Sequence, residues 1–180
     1  MSEERTHGDQ PSVDQHRAAA AGAPLGYALV TVSDTRTPDD DVTGRRMREL
    51  VEAAGHAVAE QAIVRDEVAA LRAAAEALLA ADGVDVIVFA GGTGVAPRDV
   101  TVEALEPMFE RPLPGFGELF RLLSHRQIGA AAMLSRATAG VAAGCALFAL
   151  PGSPKAAELA LSELILPEVA HLVAQARRRD

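Results

Sequence analysis

The segment Val84-Asp-Val-Ile-Val-Phe-Ala-Gly-Gly-Thr-Gly-Val-Ala-Pro-Arg-Asp-Val-Thr101 decides the fold class. Its first seven residues form an apolar run rich in β-branched side chains, which predicts a buried strand. Three glycines within four positions follow, and then a carboxylate at Asp99 and a predicted helix from Thr101. A strand, a glycine turn and a helix in direct succession are typical of a parallel α/β sheet.

The rest of the chain continues this alternation of strands and helices. Apolar runs predict further strands at 26–33, 57–64, 134–140 and 145–150. Helical periodicity predicts helices at 43–54, 67–81, 101–109 and 118–127 and from Lys155 onward. Thr43 is the expected N-cap of the first helix, and Pro167 is expected to kink or restart the last one. The Pro- and Gly-rich residues 111–117 are expected to form a loop. The sequence therefore predicts an α/β fold built around a mostly parallel sheet.

Composition limits the class of protein. A chain of 180 residues with 49% apolar residues suits one domain, placed here at 25–180 after a disordered tail at 1–24. The net charge of -8 argues against a nucleic-acid partner, because an acidic surface repels phosphate backbones. The single cysteine excludes an intrachain disulfide and fits a reducing compartment. No membrane-length apolar run or signal sequence is visible, so we expect a cytoplasmic protein with no membrane partner.

Four loops follow the predicted parallel strands, and ligands of such sheets bind beside the carboxyl ends of the strands. We therefore expect the loops 33–43, 65–67, 90–101 and 150–155 to lie together at one edge of the sheet.

The glycine loop Gly91-Gly-Thr-Gly94 has two possible interpretations. Consecutive N–H groups in a glycine turn form an anion-binding nest, and a following helix N-terminus adds its dipole. The same glycines also suit a tight turn that binds nothing. A dinucleotide fingerprint is a poor fit because Pro97 replaces its last glycine, and the chain has no Walker-type phosphate loop.

Two aspartates are candidate metal ligands at the same edge. Asp99 follows the glycine loop, and Asp66 follows the second strand. A carboxylate beside a phosphate site repels the phosphate unless a cation lies between them, and Mg²⁺ favours one or two carboxylates with substrate phosphate oxygens. The alternative is that each aspartate only caps the helix that follows it.

The other loops offer polar groups with the same ambiguity. Ser33 and Asp34 end the first strand, where they either contact a ligand or form a side-chain turn. The turn formed by Pro151, Gly152 and Ser153 ends the last strand and precedes Lys155, so it is a second candidate site for an anion or a polar ring. The run Asp39-Asp40-Asp41 is expected to be a solvated loop.

Four segments together resemble the MoaB/MogA molybdopterin-binding family. They are Val32-Ser-Asp-Thr-Arg36, Gly91-Gly-Thr-Gly-Val-Ala-Pro-Arg-Asp-Val-Thr-Val-Glu-Ala104, Leu113-Pro-Gly-Phe-Gly-Glu118 with Met133-Leu-Ser-Arg136, and Leu150-Pro-Gly-Ser-Pro-Lys-Ala156. The resemblance covers about residues 26–175, and Ser33-Asp-Thr-Arg-Thr37 is closer to the MoaB branch.

The resemblance implies a three-layer α/β/α molybdopterin-binding-domain fold and assembly as a trimer or a dimer of trimers. It implies that molybdopterin attacks the α-phosphorus of Mg-ATP, giving adenylyl-molybdopterin and pyrophosphate. The family's two functional aspartates correspond to Asp66 and Asp99. Its pterin pocket corresponds to Ser135 and the Pro151-Gly152 turn, and Glu118 belongs to another of the shared motifs.

An alternative function is a molybdopterin-binding or carrier protein that does not transfer AMP. The two functions share the pocket, so the sequence alone does not separate them.

Overall fold

A computed structural model describes residues 23–178 of the protein. The predicted tail at 1–24 therefore lies almost entirely outside the described residues. Residues 23–178 form one six-stranded sheet in the order β2-β1-β3-β6-β5-β4. The strands are β1 (Gly26–Val32), β2 (Ala57–Val64), β3 (Val86–Ala90), β4 (Arg111–Pro112), β5 (Thr138–Ala142) and β6 (Cys145–Leu150). The helices are α1 (Val42–Ala53), α2 (Val68–Leu79), α3 (Thr101–Leu105), α4 (Pro114–Ile128), α5 (Pro154–Ala160) and α6 (Leu166–Arg177).

The sheet is mostly parallel, as predicted. Strand β1 pairs in parallel with β2 and β3, and β3 pairs in parallel with β6. The two strands at the β4 end of the sheet pair differently: β5 is antiparallel to β6, and β4 is antiparallel to β5. The carboxyl ends of β1, β2, β3 and β6 therefore share one edge of the sheet.

Alternating strand residues divide the core into two layers, one on each face of the sheet. Tyr27 and Leu29 of β1 pack with residues of α1, α4 and α6 on one face. Ala28 and Val30 of the same strand pack with residues of α2 and α3 on the other face. The fold is thus the α/β/α sandwich that the family resemblance implied.

Two predicted boundaries are wrong around α4. Residues 111–117 are not a loop, because β4 occupies Arg111–Pro112 and α4 begins at Pro114 rather than Glu118. Proline is tolerated in the first turn of a helix, where its missing N–H has no intrahelical acceptor. The strand predicted from Leu134 begins at Thr138, because a 3₁₀ helix occupies Gly129–Leu134.

The N-terminus of α1 also differs from the prediction. The N-cap is Asp41, whose side chain accepts the N–H of Gly44, and not Thr43. Asp41 is 3% exposed, so the aspartate run does not end in a solvated residue. Its carboxylate also accepts the Thr31 hydroxyl at 2.7 Å, which ties α1 to β1.

The predicted interruption at Pro167 is confirmed. A π-helical turn at Leu161–Ile165 separates α5 from α6, and Pro167 lies in the first turn of α6. Within residues 23–178, no helix combines the length and the apolar character that crossing a bilayer requires.

Candidate functional site

The four loops predicted to share an edge are joined there by hydrogen bonds. The Thr43 hydroxyl donates to the carbonyl of Gly152 at 2.8 Å, which links the first and last of these loops. The N–H of Asp66 donates to Asp34 Oδ1 at 3.2 Å, which links the loops after β1 and β2. The N–H of Gly91 donates to the Leu150 carbonyl at 2.9 Å. The loops therefore form one connected surface at the carboxyl edge.

The conformation of the glycine loop requires glycine at its first two positions. Gly91 has φ +129° and Gly92 has φ +63°, which are values that other residues rarely adopt. A Cβ atom at Gly92 would come closer than 3.0 Å to Thr101 Oγ1 and to both carboxylate oxygens of Asp66. The backbone of the loop thus approaches Asp66 at a distance that any side chain would prevent.

The loop also presents unused hydrogen-bond donors. Among the described residues, the N–H groups of Gly92, Thr93 and Gly94 donate to no protein acceptor. Adjacent free N–H groups are the donor set of an anion-binding nest. A loop that served only as a turn would not need three successive donors without a protein acceptor.

Asp66 lies beside Gly92 of this loop, and Asp99 lies beside Gly94. Asp66 Oδ1 accepts the N–H of Val100 at 3.2 Å, so its carboxylate also contacts the residue that precedes α3. It does not cap α2, whose N-cap is Glu67 with no side-chain cap. Asp99 Oδ2 accepts the N–H of Ala96 at 3.0 Å and lies 2.6 Å from the position of a Cβ at Gly94. The capping alternative is therefore wrong for Asp66.

The proximity of these carboxylates affects the protonation of Asp66. Partial burial raises the pKa of the Asp66 carboxyl group, and the negative charges of Asp99 and Asp34 raise it further. The N–H of Val100 and the charge of Arg98 oppose this rise in the pKa. Asp66 thus lies where a cation would relieve electrostatic repulsion.

The residues around Gly92 fit a magnesium ion. Two carboxylates are available, and the Thr101 hydroxyl is fully buried with no hydrogen-bond partner among the described residues. Residues 23–178 contain no group of three or more His, Cys, Asp or Glu side chains that could hold a metal by themselves. This donor set matches Mg²⁺, which commonly takes one or two carboxylates and completes its shell with substrate phosphate and water.

A cavity of about 400 Å³ opens beside the glycine loop and collects most of the predicted ligand-binding residues. Its walls include all of Gly91, Gly92, Thr93, Gly94, Asp99, Ser135, Pro151, Gly152 and Ser153. The remaining wall is formed largely by apolar side chains of α4 and the 3₁₀ helix after it, among them Phe120 and Ile128. An apolar wall opposite a row of N–H donors suits a flat heterocycle that carries a phosphate.

Four predicted site residues do not line this cavity. Asp66 lies behind Gly92, and Asp34 is bonded to the N–H of Asp66. The Ser33 hydroxyl accepts the N–H groups of Thr35 and Arg36, which is the side-chain turn weighed from the sequence. Glu118 lines a neighbouring polar cavity of about 650 Å³, which meets the first cavity at Ser135.

Three residues of this edge received no site role from the sequence. The Thr43 hydroxyl donates to the Gly152 carbonyl, and the Arg136 guanidinium donates to the Gly94 carbonyl. The Thr101 hydroxyl lies, like the Asp66 carboxylate, beside the Cβ position of Gly92. Thr101 and Arg136 belong to the motifs shared with the family, and this membership is the one sequence signal that could have indicated a site role for them. The residues in each of these contacts lie 9 to 109 positions apart in the sequence. The fold of the sheet brings them together, so a local sequence pattern does not reveal the contacts.

Together, the fold and the cavity define an α/β protein with a glycine-loop cavity at the carboxyl edge of a parallel sheet. A family model described as "Probable molybdopterin binding domain" matches residues 28–171. The match covers well over half of the chain, so the chain belongs to this molybdopterin-binding family.

Individual relatives agree with this assignment. The Molybdenum cofactor biosynthesis protein B of Bacillus subtilis (strain 168) is 46% identical over 168 residues, which are 93% of this chain and 98% of the relative. A crystal structure of a Molybdenum cofactor biosynthesis protein B has a TM-score of 0.85 at 40% identity and covers 87% of this chain and 98% of the other. The tungsten cofactor synthesizing protein MoaB from Pyrococcus furiosus has a TM-score of 0.75 at 34% identity, over 88% of this chain and 100% of that one.

Proposed function

We infer that this protein acts in molybdenum cofactor biosynthesis as a molybdopterin adenylyltransferase. The observation that carries the proposal is the position of Asp66 beside Gly92 and of Asp99 beside Gly94, in a glycine loop whose N–H groups have no protein acceptor. The family match and the names of the relatives support the pathway. The adenylyl transfer is the part that rests on the chemistry of the site.

In the proposed reaction, a phosphate oxygen of molybdopterin attacks the α-phosphorus of ATP. The new bond joins this oxygen to the α-phosphorus, and the bond from the α-phosphorus to the bridging oxygen of the β-phosphate breaks. The attacking oxygen is already anionic, so no side chain has to remove a proton. Pyrophosphate departs with the electron pair of the broken bond.

The chain's own residues would then position two anions against each other. The N–H groups of Gly92, Thr93 and Gly94 would bind phosphate oxygens, and the apolar wall with Phe120 would hold the pterin. The turn Pro151–Ser153 and Ser135 would contact the polar edge of the ring. Bound by Asp66 and Asp99, Mg²⁺ would neutralise charge on the transferring and leaving phosphates.

Pyrophosphate release is the direct test of this proposal. Wild-type protein with molybdopterin, ATP and Mg²⁺ should release pyrophosphate, and removal of Mg²⁺ with a chelator should abolish the release. We expect Asp66→Asn and Asp99→Asn each to lower turnover by about 10²–10³-fold, because each removes a charged metal ligand without changing side-chain size. Asp39→Asn, at an exposed position, is the matched control.

Two results would change the assignment. Near-wild-type turnover in both variants would refute the metal-site role of the aspartates. Tight molybdopterin binding without pyrophosphate release would instead identify a binding or carrier protein, since that function uses the same cavity.

The oligomeric state belongs to the same proposal. We expect a homotrimer or a dimer of trimers from the family resemblance. Leu119 and Leu122 of α4 are 51% and 53% exposed, and they lie three residues apart on one face of the helix. An unpartnered pair of leucines on a helix face is a feature that self-association would cover.

A further inference from the structure

Arg136 makes four polar contacts with the glycine loop and the residues that follow it. Its Nε donates to the carbonyl of Gly94 at 2.7 Å, and its Nη2 donates to the carbonyl of Asp99 at 2.7 Å. Its backbone N–H donates to the Thr93 carbonyl at 3.0 Å. Its Nη1 forms an ion pair with Glu103 of α3. One residue thus holds both ends of the loop and the helix that follows it.

These bonds fix the direction of the N–H groups on the opposite sides of the same peptide units. In a trans peptide the C=O and N–H bonds point in opposite directions. Because Arg136 binds the carbonyls of Thr93 and Gly94, the N–H groups of Gly94 and Val95 must point away from it. Arg136 therefore orients one of the three nest donors, the N–H of Gly94, through its own backbone N–H, and it orients the next N–H, that of Val95, through its side chain.

The same relation connects Arg136 to Asp66. The carbonyl of Asp99 and the N–H of Val100 belong to one peptide unit. Arg136 Nη2 binds the carbonyl, and Asp66 Oδ1 accepts the N–H at 3.2 Å. A continuous row of hydrogen bonds thus runs from the guanidinium group through this peptide to the Asp66 carboxylate, and each bond polarises the next.

The segment that carries Arg136 is itself held in place. Arg121 of α4 donates from Nη1 to the carbonyls of Ser135 and Ala137 at 3.3 Å each, on either side of Arg136. Arg136 is only partly exposed, with 32% of its side-chain surface accessible. The segment around Arg136 is therefore held by α4 as well as by the loop that Arg136 contacts.

We propose that Arg136 is a positioning residue of this site: it fixes the peptide units that follow Thr93, Gly94 and Asp99, and so holds the end of the glycine loop and the Asp66 contact at Val100 in place relative to each other. The effect of Arg136 on turnover rests on the proposed function, whereas its effect on the structure of the loop does not. A lysine cannot replace Arg136, because one ammonium group cannot direct parallel bonds to two carbonyls and a carboxylate.

The structural consequence is tested in the free protein by hydrogen exchange. The amides of Ala96, Asp99 and Thr101 are hydrogen-bonded within residues 92–101, and the amide of Val100 is hydrogen-bonded to Asp66, so their exchange reports the opening of this segment. In Arg136→Lys we expect these amides to exchange about tenfold faster, as loss of one charge-assisted hydrogen bond predicts. The β3 amides should be unchanged, and an unchanged rate in the loop would overturn the proposal.

A matched arginine lies at the opposite edge of the sheet. Arg177 also bridges a carbonyl and a carboxylate, through Gly144 at 3.1 Å and Asp85 at 2.6 Å. Arg177→Lys removes a similar set of bonds far from the cavity. It should leave exchange at residues 96–101 at the wild-type rate, and an equal acceleration in this variant would show a global effect and overturn the proposal.

The kinetic consequence separates positioning from a general loss of stability. In Arg136→Lys we expect kcat to fall about tenfold and the Mg²⁺ concentration for half-maximal pyrophosphate release to rise, with KM for ATP changing less. A wild-type Mg²⁺ requirement in this variant would overturn the proposal. If the wild-type protein released no pyrophosphate, the proposed function would fail, and hydrogen exchange would still decide the role of Arg136.

Discussion

At the scale of single residues, Asp66 shows a conflict between binding and stability. Its carboxylate is partly buried beside Asp99 and Asp34, and these surroundings raise its pKa. A raised pKa means that the folded protein favours the protonated form of the group. The ionised form, which a cation needs as a ligand, therefore costs the free protein folding free energy.

This conflict predicts that Asp66→Asn stabilises the metal-free protein. The pKa of Asp66 in the folded protein lies above its ordinary value of 3.8. The cost in folding free energy of ionising Asp66 is therefore fully present at a pH above the folded-state pKa, and it disappears as the pH falls to 3.8. At pH 7 the variant should have a higher Tm than the wild type without Mg²⁺, and the difference should shrink at acidic pH. Thermal unfolding followed by circular dichroism measures both effects.

An exposed carboxylate provides the control for this prediction. Asp82→Asn changes an exposed aspartate in a turn distant from Asp99 and should leave Tm close to the wild-type value. A lower Tm for Asp66→Asn at pH 7 would contradict the prediction, since it would mean that the Asp66 carboxylate stabilises the free fold.

At the scale of elements, the junction of β1 and α1 depends on one buried carboxylate. Asp41 accepts the N–H of Gly44 at 2.8 Å and the Thr31 hydroxyl at 2.7 Å, and Arg36 lies 3.6 Å from it. The Asp41 side chain, which is 5% exposed, therefore makes three interactions: a helix cap, a buried hydrogen bond and an ion pair. The same junction carries Thr43, whose hydroxyl bonds to the Gly152 carbonyl at the cavity wall.

We predict that Asp41→Ala lowers the free energy of unfolding by about 2 kcal/mol, because it removes a helix cap and leaves the buried Thr31 hydroxyl without its acceptor. Urea denaturation at a fixed protein concentration should show a lower midpoint with an unchanged slope. Asp39→Ala, in the same run but exposed, should stay within about 0.5 kcal/mol of the wild type. Equal effects of the two substitutions would contradict the role assigned to Asp41.

The elements also show what could be predicted from the sequence. The predicted bounds of β2 and β6 match the observed ones, and those of β1 match to within one residue. Continuous apolar runs bounded by turn residues specify the buried strands β1 and β6, whereas β2 is largely exposed. The start of α4 was missed because Pro114 and Gly115 have the composition of a loop. Local composition could not show that Phe116 and Phe120 pack together on the sheet, with ring centroids 6.2 Å apart.

The candidate site was predictable to a similar extent. A parallel sheet implied that the loops after β1, β2, β3 and β6 would meet at one edge, and hydrogen bonds join them there. Sequence could not show that Asp66 bonds to Val100 or that Arg136 bonds to Gly94, since these contacts lie 34 and 42 positions apart. Such contacts depend on the three-dimensional path of the loops, which residue types alone do not determine.

At the scale of the whole molecule, apolar side chains are exposed along one continuous segment. Leu119, Leu122, Ile128, Met133 and Leu134 are each more than half exposed, and all lie in α4 or the 3₁₀ helix after it. Single exposed apolar residues are common on monomers, but a run of five in sixteen residues marks a surface for association. Part of this segment also borders the cavity, through Ile128 and Leu134.

We predict that the protein sediments with three or six times the chain mass of 18.7 kDa and that this surface contributes to the assembly. The double substitution Leu119→Glu and Leu122→Glu should shift the protein toward the monomer mass, because six or more new charges would have to be buried in each trimer. Val42→Glu, at an equally exposed valine of α1, should leave the mass unchanged. Sedimentation equilibrium over a range of concentrations measures the mass of the wild type and of both variants. A monomeric wild type would contradict the prediction. A double variant that keeps the mass of the wild-type assembly would show that the interface does not lie on α4.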